Sequence, residues 1–305
     1  MNPFTTPLIT PTEYHNATLT PQSRRIIPLA AYRPTLHASF ESYHLPGSKF
    51  FPLDQITTPS PYPTMLPTPS HFAAGMSALG IQKSDILVIY DAEEIGTYHA
   101  PRLAFMCELF GHRHVHVLNN LRAYVRLGLP VGDGEVVVGD VGRGEGGGEG
   151  GGYIVDEGEV DTQRVIEFEE VRDVVLRGRE QDGKRARILD ARIPGRFRGV
   201  QAEMDPALRS GHMPGAVNVP LARLLNEQEG SILSPGELKR VLVDAGALED
   251  GDGKVEYILT CNSGVTAAAL DLALRLVGAK GTRRVYDGSW MEWTRRVGDE
   301  LIEVS

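Results

Sequence analysis

Short apolar, β-prone runs alternate along this chain with segments whose apolar residues return at helical spacing. Residues 25–31 read as a first strand, followed by strands at 85–90, 115–118, 187–190, the run Tyr257-Ile258-Leu259-Thr260, and 284–286. Helices are expected at 70–79, capped by Ser70 and ended by Gly80, and at 100–110, closed by Gly111. Further helices fall at 168–177, 234–245 and 267–277. Residues 1–25 are mostly turn-prone, with a short helix allowed at 11–19, and 57–70 carries many prolines and reads as extended loop. Strands alternating with helices predict an α/β fold with mostly parallel sheets flanked by helices.

The pattern repeats. His44-Leu45-Pro46-Gly47 matches His212-Met213-Pro214-Gly215, and each is followed by a Pro-Leu pair, Pro52-Leu53 and Pro220-Leu221. Leu87-Val88-Ile89-Tyr90-Asp91 matches Tyr257-Ile258-Leu259-Thr260-Cys261, again at an offset of roughly 170 residues. Two α/β domains of one ancestry follow, at 1–131 and 161–305, joined by 132–160. Gly and Glu dominate 139–152, the composition of a flexible, solvated linker and a tolerated loop expansion. Because His44 and His212 recur in both halves, they are read as turn residues rather than general bases.

The chemistry concentrates at Cys261. An apolar strand ends there, the small or polar residues Asn262, Ser263, Gly264, Val265 and Thr266 follow, and a helix begins. In an open α/β sheet this carboxyl edge is where ligands bind. Successive N–H groups of a tight loop, capped by a helix N-terminus, form an anion cradle that stabilises a thiolate or a persulfide. Asn262 fits if the loop needs a positive φ. The plain alternative is a buried structural thiol, which is how Cys107 reads, set among Phe105, Met106, Leu109 and Phe110. A cysteine phosphatase also uses a Cys-loop-helix, but it needs an arginine six residues on, where this chain has Ala267. The first half has Asp91 in the cysteine's place, and a carboxylate carries no sulfane sulfur. That half is therefore expected to be catalytically silent.

Composition narrows the rest. The 305 residues suffice for two domains, and 41% hydrophobic with 23% charged residues is typical of a globular chain. A net charge of −9 disfavours nucleic acid as a main ligand. No apolar run is long enough to span a membrane. Two cysteines make no disulfide framework, which points to a reducing compartment. No secretory segment opens the chain, leaving the cytoplasm, with the mitochondrial matrix as a weaker second. No His/Cys cluster has metal-ligand spacing, so no metal or organic cofactor is implied.

Several segments resemble the tandem rhodanese family of sulfurtransferases. They are the loop Cys261-Asn262-Ser263-Gly264-Val265-Thr266-Ala267, the run Asp190-Ala191-Arg192-Ile193-Pro194-Gly195-Arg196-Phe197-Arg198-Gly199, residues 211–220, and Tyr286-Asp287-Gly288-Ser289-Trp290-Met291-Glu292-Trp293. In the first half, Met65-Leu66-Pro67 and Tyr98-His99-Ala100-Pro101-Arg102 fit as well. The resemblance spans nearly the whole chain outside the Gly-rich linker. It implies two rhodanese-like domains and sulfur transfer through a persulfide on Cys261. The donor would be 3-mercaptopyruvate, thiosulfate or both, and the acceptor cyanide, a thiol or a protein of thioredoxin-like or sulfur-relay type.

The resemblance also distributes roles. Thiosulfate-type members carry basic residues after the cysteine, and mercaptopyruvate-type members carry Gly-Ser-Gly, which Asn262-Ser263-Gly264 approaches. Ser263 would hydrogen-bond the reacting sulfur or relay a proton, with Asp54 as its acid partner from the other domain. Arg196 would grip the substrate carboxylate with its planar fork, in competition with Arg192 and Arg198. Asn262, Gly264, Val265 and Thr266 would wrap the donor. Trp290 and Trp293 are read as core. Two departures stand out. Asp205 occupies the place of a second substrate arginine, unless Arg209 substitutes for it, and Thr64 stands where mercaptopyruvate enzymes often have histidine. The first domain also lacks much of the usual segment between its first strand and His44. The loss of the second arginine supports an alternative, a sulfur-relay protein loaded by another protein's persulfide. A non-catalytic scaffold is the third reading, against which the retained Cys261 loop argues.

Overall fold

The computed structural model describes residues 1–138, 152–177, 180–181, 184–248 and 255–305. They form two compact units. Unit 1 takes in Met1–Pro59, Leu66–Asp161 and Glu227–Ile232, and unit 2 takes in Ser60–Met65, Thr162–Asn226 and Leu233–Ser305. The glycine-rich centre of the expected linker, 139–151, lies outside the described residues.

In unit 1 the strands are β1 (Leu8–Ile9), β2 (Ile26–Tyr32), β3 (Lys49–Pro52), β4 (Ile86–Tyr90) and β5 (Val115–Leu118). They pair in the order β1-β5-β4-β2-β3, parallel throughout. Every residue of β4 is buried, as a central parallel strand covered on both faces requires. The helices are α1 (Pro11–Thr18), α2 (His37–Ser42), α3 (Pro69–Ala78), α4 (Ala100–Leu109) and α5 (Leu121–Arg126). Three expectations shift here. The two-residue β1 precedes the strand taken as first, and is too short to carry a periodic signal. Helix α2 was not foreseen. Helix α3 is capped by Thr68, whose hydroxyl accepts from the His71 amide at 3.2 Å, not by Ser70, because Pro69 takes the first helical position.

Unit 2 contains β6 (Val165–Ile166), β7 (Glu180–Gln181), β8 (Lys184–Asp190), β9 (Val217–Asn218), β10 (Val255–Thr260) and β11 (Thr282–Tyr286). Strands β6, β11, β10 and β8 lie side by side in parallel. Strand β9 pairs in parallel with the end of β8, and β7 runs antiparallel along its beginning. Apart from the added antiparallel β7, the order β6, β11, β10, β8, β9 of the second sheet repeats the order β1, β5, β4, β2, β3 of the first. The helices are α6 (Phe168–Arg177), α7 (Pro194–Phe197), α8 (Pro235–Asp244), α9 (Ala267–Leu276) and α10 (Ser289–Arg296). Trp290 and Trp293 are buried in the core beside Phe168, Ile188, Ile258 and Tyr286.

The repeated His-x-Pro-Gly has a local cause. Ser48 N–H donates to the Leu45 carbonyl and Ala216 N–H to that of Met213, with Gly47 at φ 76° and Gly215 at φ 72°. Each is a turn with proline second and a positive-φ glycine third. The histidines brace these turns: His44 Nδ1 lies 2.8 Å from the Phe40 carbonyl and His212 Nδ1 2.9 Å from that of Phe197.

The flanks of the expected 132–160 linker are packed onto unit 1, because they carry apolar side chains as well as glycine. Gly132 exchanges both backbone hydrogen bonds with His44, and Val136 is buried. Tyr153 is buried against Phe72 and lies parallel to the His112 ring. Among the described residues no helix is long and apolar enough to cross a membrane.

His112 gives unit 1 a pH dependence. Its Nδ1 meets the Tyr153 hydroxyl at 2.9 Å and its Nε2 the Asp85 carbonyl at 3.0 Å. Burial lowers its pKa to about 4, outweighing the pull of the Asp85 carbonyl. The unfolded chain therefore binds the proton first as pH falls. Stability present above about pH 6.5 should drain away towards pH 4 and then level off, a loss of roughly 3 kcal/mol. Urea unfolding of the wild type and of His112→Asn across pH 4–7.5 checks this; an equal slope in both would assign the dependence elsewhere.

Candidate active site

Strand β10 is the centre of its sheet, and its last residue, Thr260, is fully buried. Cys261 follows at 2% exposure, and α9 begins six positions on at Ala267. The first turn of α9 is Ala267-Ala268-Ala269, all buried, so the helix N-terminus seats closely against the sheet. Val265 and Thr266 are buried at that N-terminus. The left-handed residue of the loop is Gly264, at φ 75°. This corrects the expectation for Asn262, which is not among the positive-φ residues. Instead the Asn262 Oδ1 is buried with no hydrogen-bond partner.

Helix α10 and its first residue fix the loop. The Trp290 amide donates to the Cys261 carbonyl and the Met291 amide to that of Asn262, both at 3.0 Å. A trans peptide points its N–H opposite its C=O, so the Asn262 and Ser263 amides face away from α10. The buried Ser289 hydroxyl accepts from the Cys261 amide at 3.2 Å and the Gly264 amide at 3.0 Å, and donates to the Tyr286 carbonyl at 2.7 Å. Ser289 holds φ 49° to do so, a region few residues with side chains adopt. Its role was not foreseen, although it lies inside a quoted motif; only the folded chain brings it to a loop 25 residues away.

The three candidate arginines separate by what they touch. Arg192 is buried, bonded through Nε and Nη2 to Asp190, through Nη1 to Glu203 at 3.0 Å and through Nη2 to the Gly211 carbonyl at 2.7 Å. It also stacks on Trp290 at 4.1 Å. Arg198 is exposed. Arg196 is half-buried on α7, with Nε 3.7 Å from Glu203 Oε2 and no hydrogen bond at that nitrogen. Its fork retains capacity for a carboxylate. Glu203, another residue sequence reasoning missed, is the buried anion between Arg192 and Arg196, its pKa raised by burial against their pull.

Arg209 has a different task. Its guanidinium bonds the Thr294 hydroxyl and carbonyl, the Val297 carbonyl at 2.7 Å and Asp299 at 2.6 Å, clamping the end of α10. Asp205 is paired with Arg295 at 2.7 Å, so its charge is matched. Arg295 also covers the Tyr62 ring, which belongs to the Ser60–Met65 segment of the same unit. That segment sets Thr64 Oγ1 3.4 Å from both the backbone oxygen and the hydroxyl of Ser263.

The equivalent place in unit 1 is filled. Asp91 follows β4, and its carboxylate accepts from the amides of Tyr98 and His99 at 2.8 Å and of Ala100 at 2.9 Å, at the opening of α4. Asp54 lies just after β3 in unit 1, its carboxylate 2.8 Å from Arg33. Cys107 is fully buried in α4, and burial pushes its thiol far up. Among the described residues no group of three or more His, Cys, Asp or Glu side chains is placed to hold a metal ion.

Comparison with known proteins places this geometry. Residues 175–296 match the rhodanese-like domain. The 3-mercaptopyruvate sulfurtransferase of Mus musculus is 33% identical over 287 residues, covering 92% of this chain and 88% of its own. The thiosulfate sulfurtransferase of Rattus norvegicus is 34% identical over 284 residues, covering 91% and 87%. The crystal structure of the Tum1 protein from Saccharomyces cerevisiae superposes with a TM-score of 0.84 at 30% identity over 98% of both chains.

Ser289→Ala leaves two buried amides unpaired and should destabilise the protein by roughly 2–4 kcal/mol. Hydrogen exchange at the Cys261 and Gly264 amides should accelerate more than at the centre of β10. Uniform acceleration across the unit would show that Ser289 supports the fold generally and not this loop.

Proposed function

The chain belongs to the rhodanese-like family of 3-mercaptopyruvate and thiosulfate sulfurtransferases, and from that membership we propose that it draws sulfur by preference from 3-mercaptopyruvate through unit 2 alone. It is a sulfurtransferase, moving sulfane sulfur from a small donor to a thiophilic acceptor through a cysteine persulfide. In our assignment Cys261 is that cysteine. Its thiolate attacks the donor sulfur, and the loop amides and the α9 N-terminus stabilise the persulfide anion.

The observation that carries the donor preference is charge. The loop Asn262-Ser263-Gly264-Val265-Thr266 has no basic side chain to favour a dianion such as thiosulfate. Arg196, with Nε lacking a hydrogen-bond partner, suits one carboxylate. Ser263 serves as the hydroxyl beside the reacting sulfur, and Asp54 is kept as its acid partner on the family resemblance. The buried Asn262 Oδ1 is left to accept from the bound donor or from water. Asp91, which already fills its own cradle, supports a silent unit 1.

A relay loaded only by a protein persulfide is less well supported. It rests on the missing second arginine, which Arg209 does not replace, but Arg295 matches the charge of Asp205, so nothing there repels a carboxylate held by Arg196. The acceptor we infer is a thiol, small or on a protein, in a reducing compartment.

Steady-state transfer to cyanide and to a dithiol should show higher kcat/KM with 3-mercaptopyruvate than with thiosulfate and vanish in Cys261→Ser. Arg196→Met should raise KM for 3-mercaptopyruvate about tenfold or more, and Asp54→Asn should lower kcat. A preference for thiosulfate would refute the charge argument, and silence with both donors would return the relay reading to the front.

A further inference from the structure

We propose, on the basis of the sulfurtransferase reading, that Thr64 is a positioning residue for Ser263 and sets donor preference by favouring donors whose leaving group must take up a proton. Thr64 sits at φ 61°, a left-handed conformation that is strained for a β-branched residue. The strain is held in place on both sides. Tyr62 lies against Arg295 and Met65 is buried. In this conformation Thr64 Oγ1 donates to the Pro63 carbonyl at 2.6 Å and stands 3.4 Å from Ser263 Oγ. Thr64 Oγ1 thus approaches the backbone and hydroxyl oxygens of Ser263 as their donor, both at 3.4 Å. A Ser263 oxygen that accepts from Thr64 keeps its own proton and its second lone pair for the incoming donor, the pair that a proton relay needs.

That arrangement matters for one donor chemistry and not the other. With 3-mercaptopyruvate, the Cys261 thiolate attacks the substrate sulfur, an S–S bond forms and the C–S bond breaks. The electron pair leaves as the pyruvate enolate. The substrate's thiol proton must then reach the enolate carbon, giving pyruvate and a persulfide anion, and Ser263 is the group that carries it. With thiosulfate, the same attack breaks an S–S bond and expels sulfite as an anion, and no proton moves. A residue that aims the Ser263 hydroxyl therefore acts on the first reaction selectively.

The test is single-turnover loading of Cys261, read as the mass gain of one sulfur atom after rapid mixing with 3-mercaptopyruvate or with thiosulfate. Thr64→Val, which keeps the shape and the strain but removes the hydroxyl, should lower the ratio of the two loading rates on the order of tenfold. Thr64→Ser should restore the ratio to within about twofold, since the hydroxyl returns. Thr64→Gly should lower the ratio while the melting temperature holds or rises, because glycine relieves the strained φ. Equal losses with both donors would make Thr64 a structural residue of the loop, and an unchanged ratio would remove any role; either overturns the proposal. Wild-type protein loaded by neither donor is a separate signature. It would sink the sulfurtransferase reading itself, and this proposal with it.

Discussion

An anion buried at the end of a central parallel strand has to be met by backbone N–H groups, because no solvent reaches it there. Both units are built around that constraint. In unit 1 the anion is the chain's own: the Asp91 carboxylate takes three amides at the opening of α4. In unit 2 the corresponding strand ends in Cys261, which in our assignment is the residue that takes on a second sulfur. The loop is then held by what lies outside it. Two α10 amides draw its first carbonyls away, and Ser289 ties its first and fourth amides together. One residue type at one sheet position separates a cradle that the chain itself fills from one that, in the mechanism we propose, receives an incoming sulfur.

The charged groups around Cys261 sort by saturation rather than by type. Arg192 is surrounded by Asp190, Glu203, a carbonyl and an indole face, so its charge is spent on the fold. Arg209 is spent on the end of α10. Arg196 is near Glu203 but not saturated by it, and on that difference rests our assignment of the substrate carboxylate to it. Asp205 is the reverse case. As a residue type it looked hostile to an anionic donor, and Arg295 neutralises it.

Much of this was legible along the chain because it is local. Strand 115–118 and helix 168–177 have the bounds their apolar spacing implied, and the strand–Cys–loop–helix unit is a change of period at one residue. The internal repeat pointed to two α/β domains of one ancestry, and the strand order came only with the fold. What escaped depends on partners far away in sequence. Two-residue strands such as β1 and β9 exist only through their neighbours. Val136 and Tyr153, sparse apolar residues beside a glycine tract, find burial that composition cannot announce. Arg209 and Arg196 are the same residue in similar surroundings until Thr294 and Asp299 arrive from the end of the chain.

The distribution of backbone strain follows the same logic. Among the described residues, the non-glycine positions with positive φ are Thr64, Asn120 and Ser289. Asn120, at φ 142° and ψ 169°, caps α5 through its side-chain oxygen, which accepts from the Ala123 amide at 2.9 Å and ties that conformation to a helix start. Thr64 and Ser289 instead bear on the Cys261 loop, one at Ser263 and the other at Cys261 and Gly264. A fold keeps strained hydroxyl residues only where surrounding contacts over-determine them. Here those contacts are Tyr62 under Arg295 on one side and the buried α10 on the other. The loop that presents the thiol is thus gripped by two hydroxyls that an unstrained backbone would have pointed elsewhere.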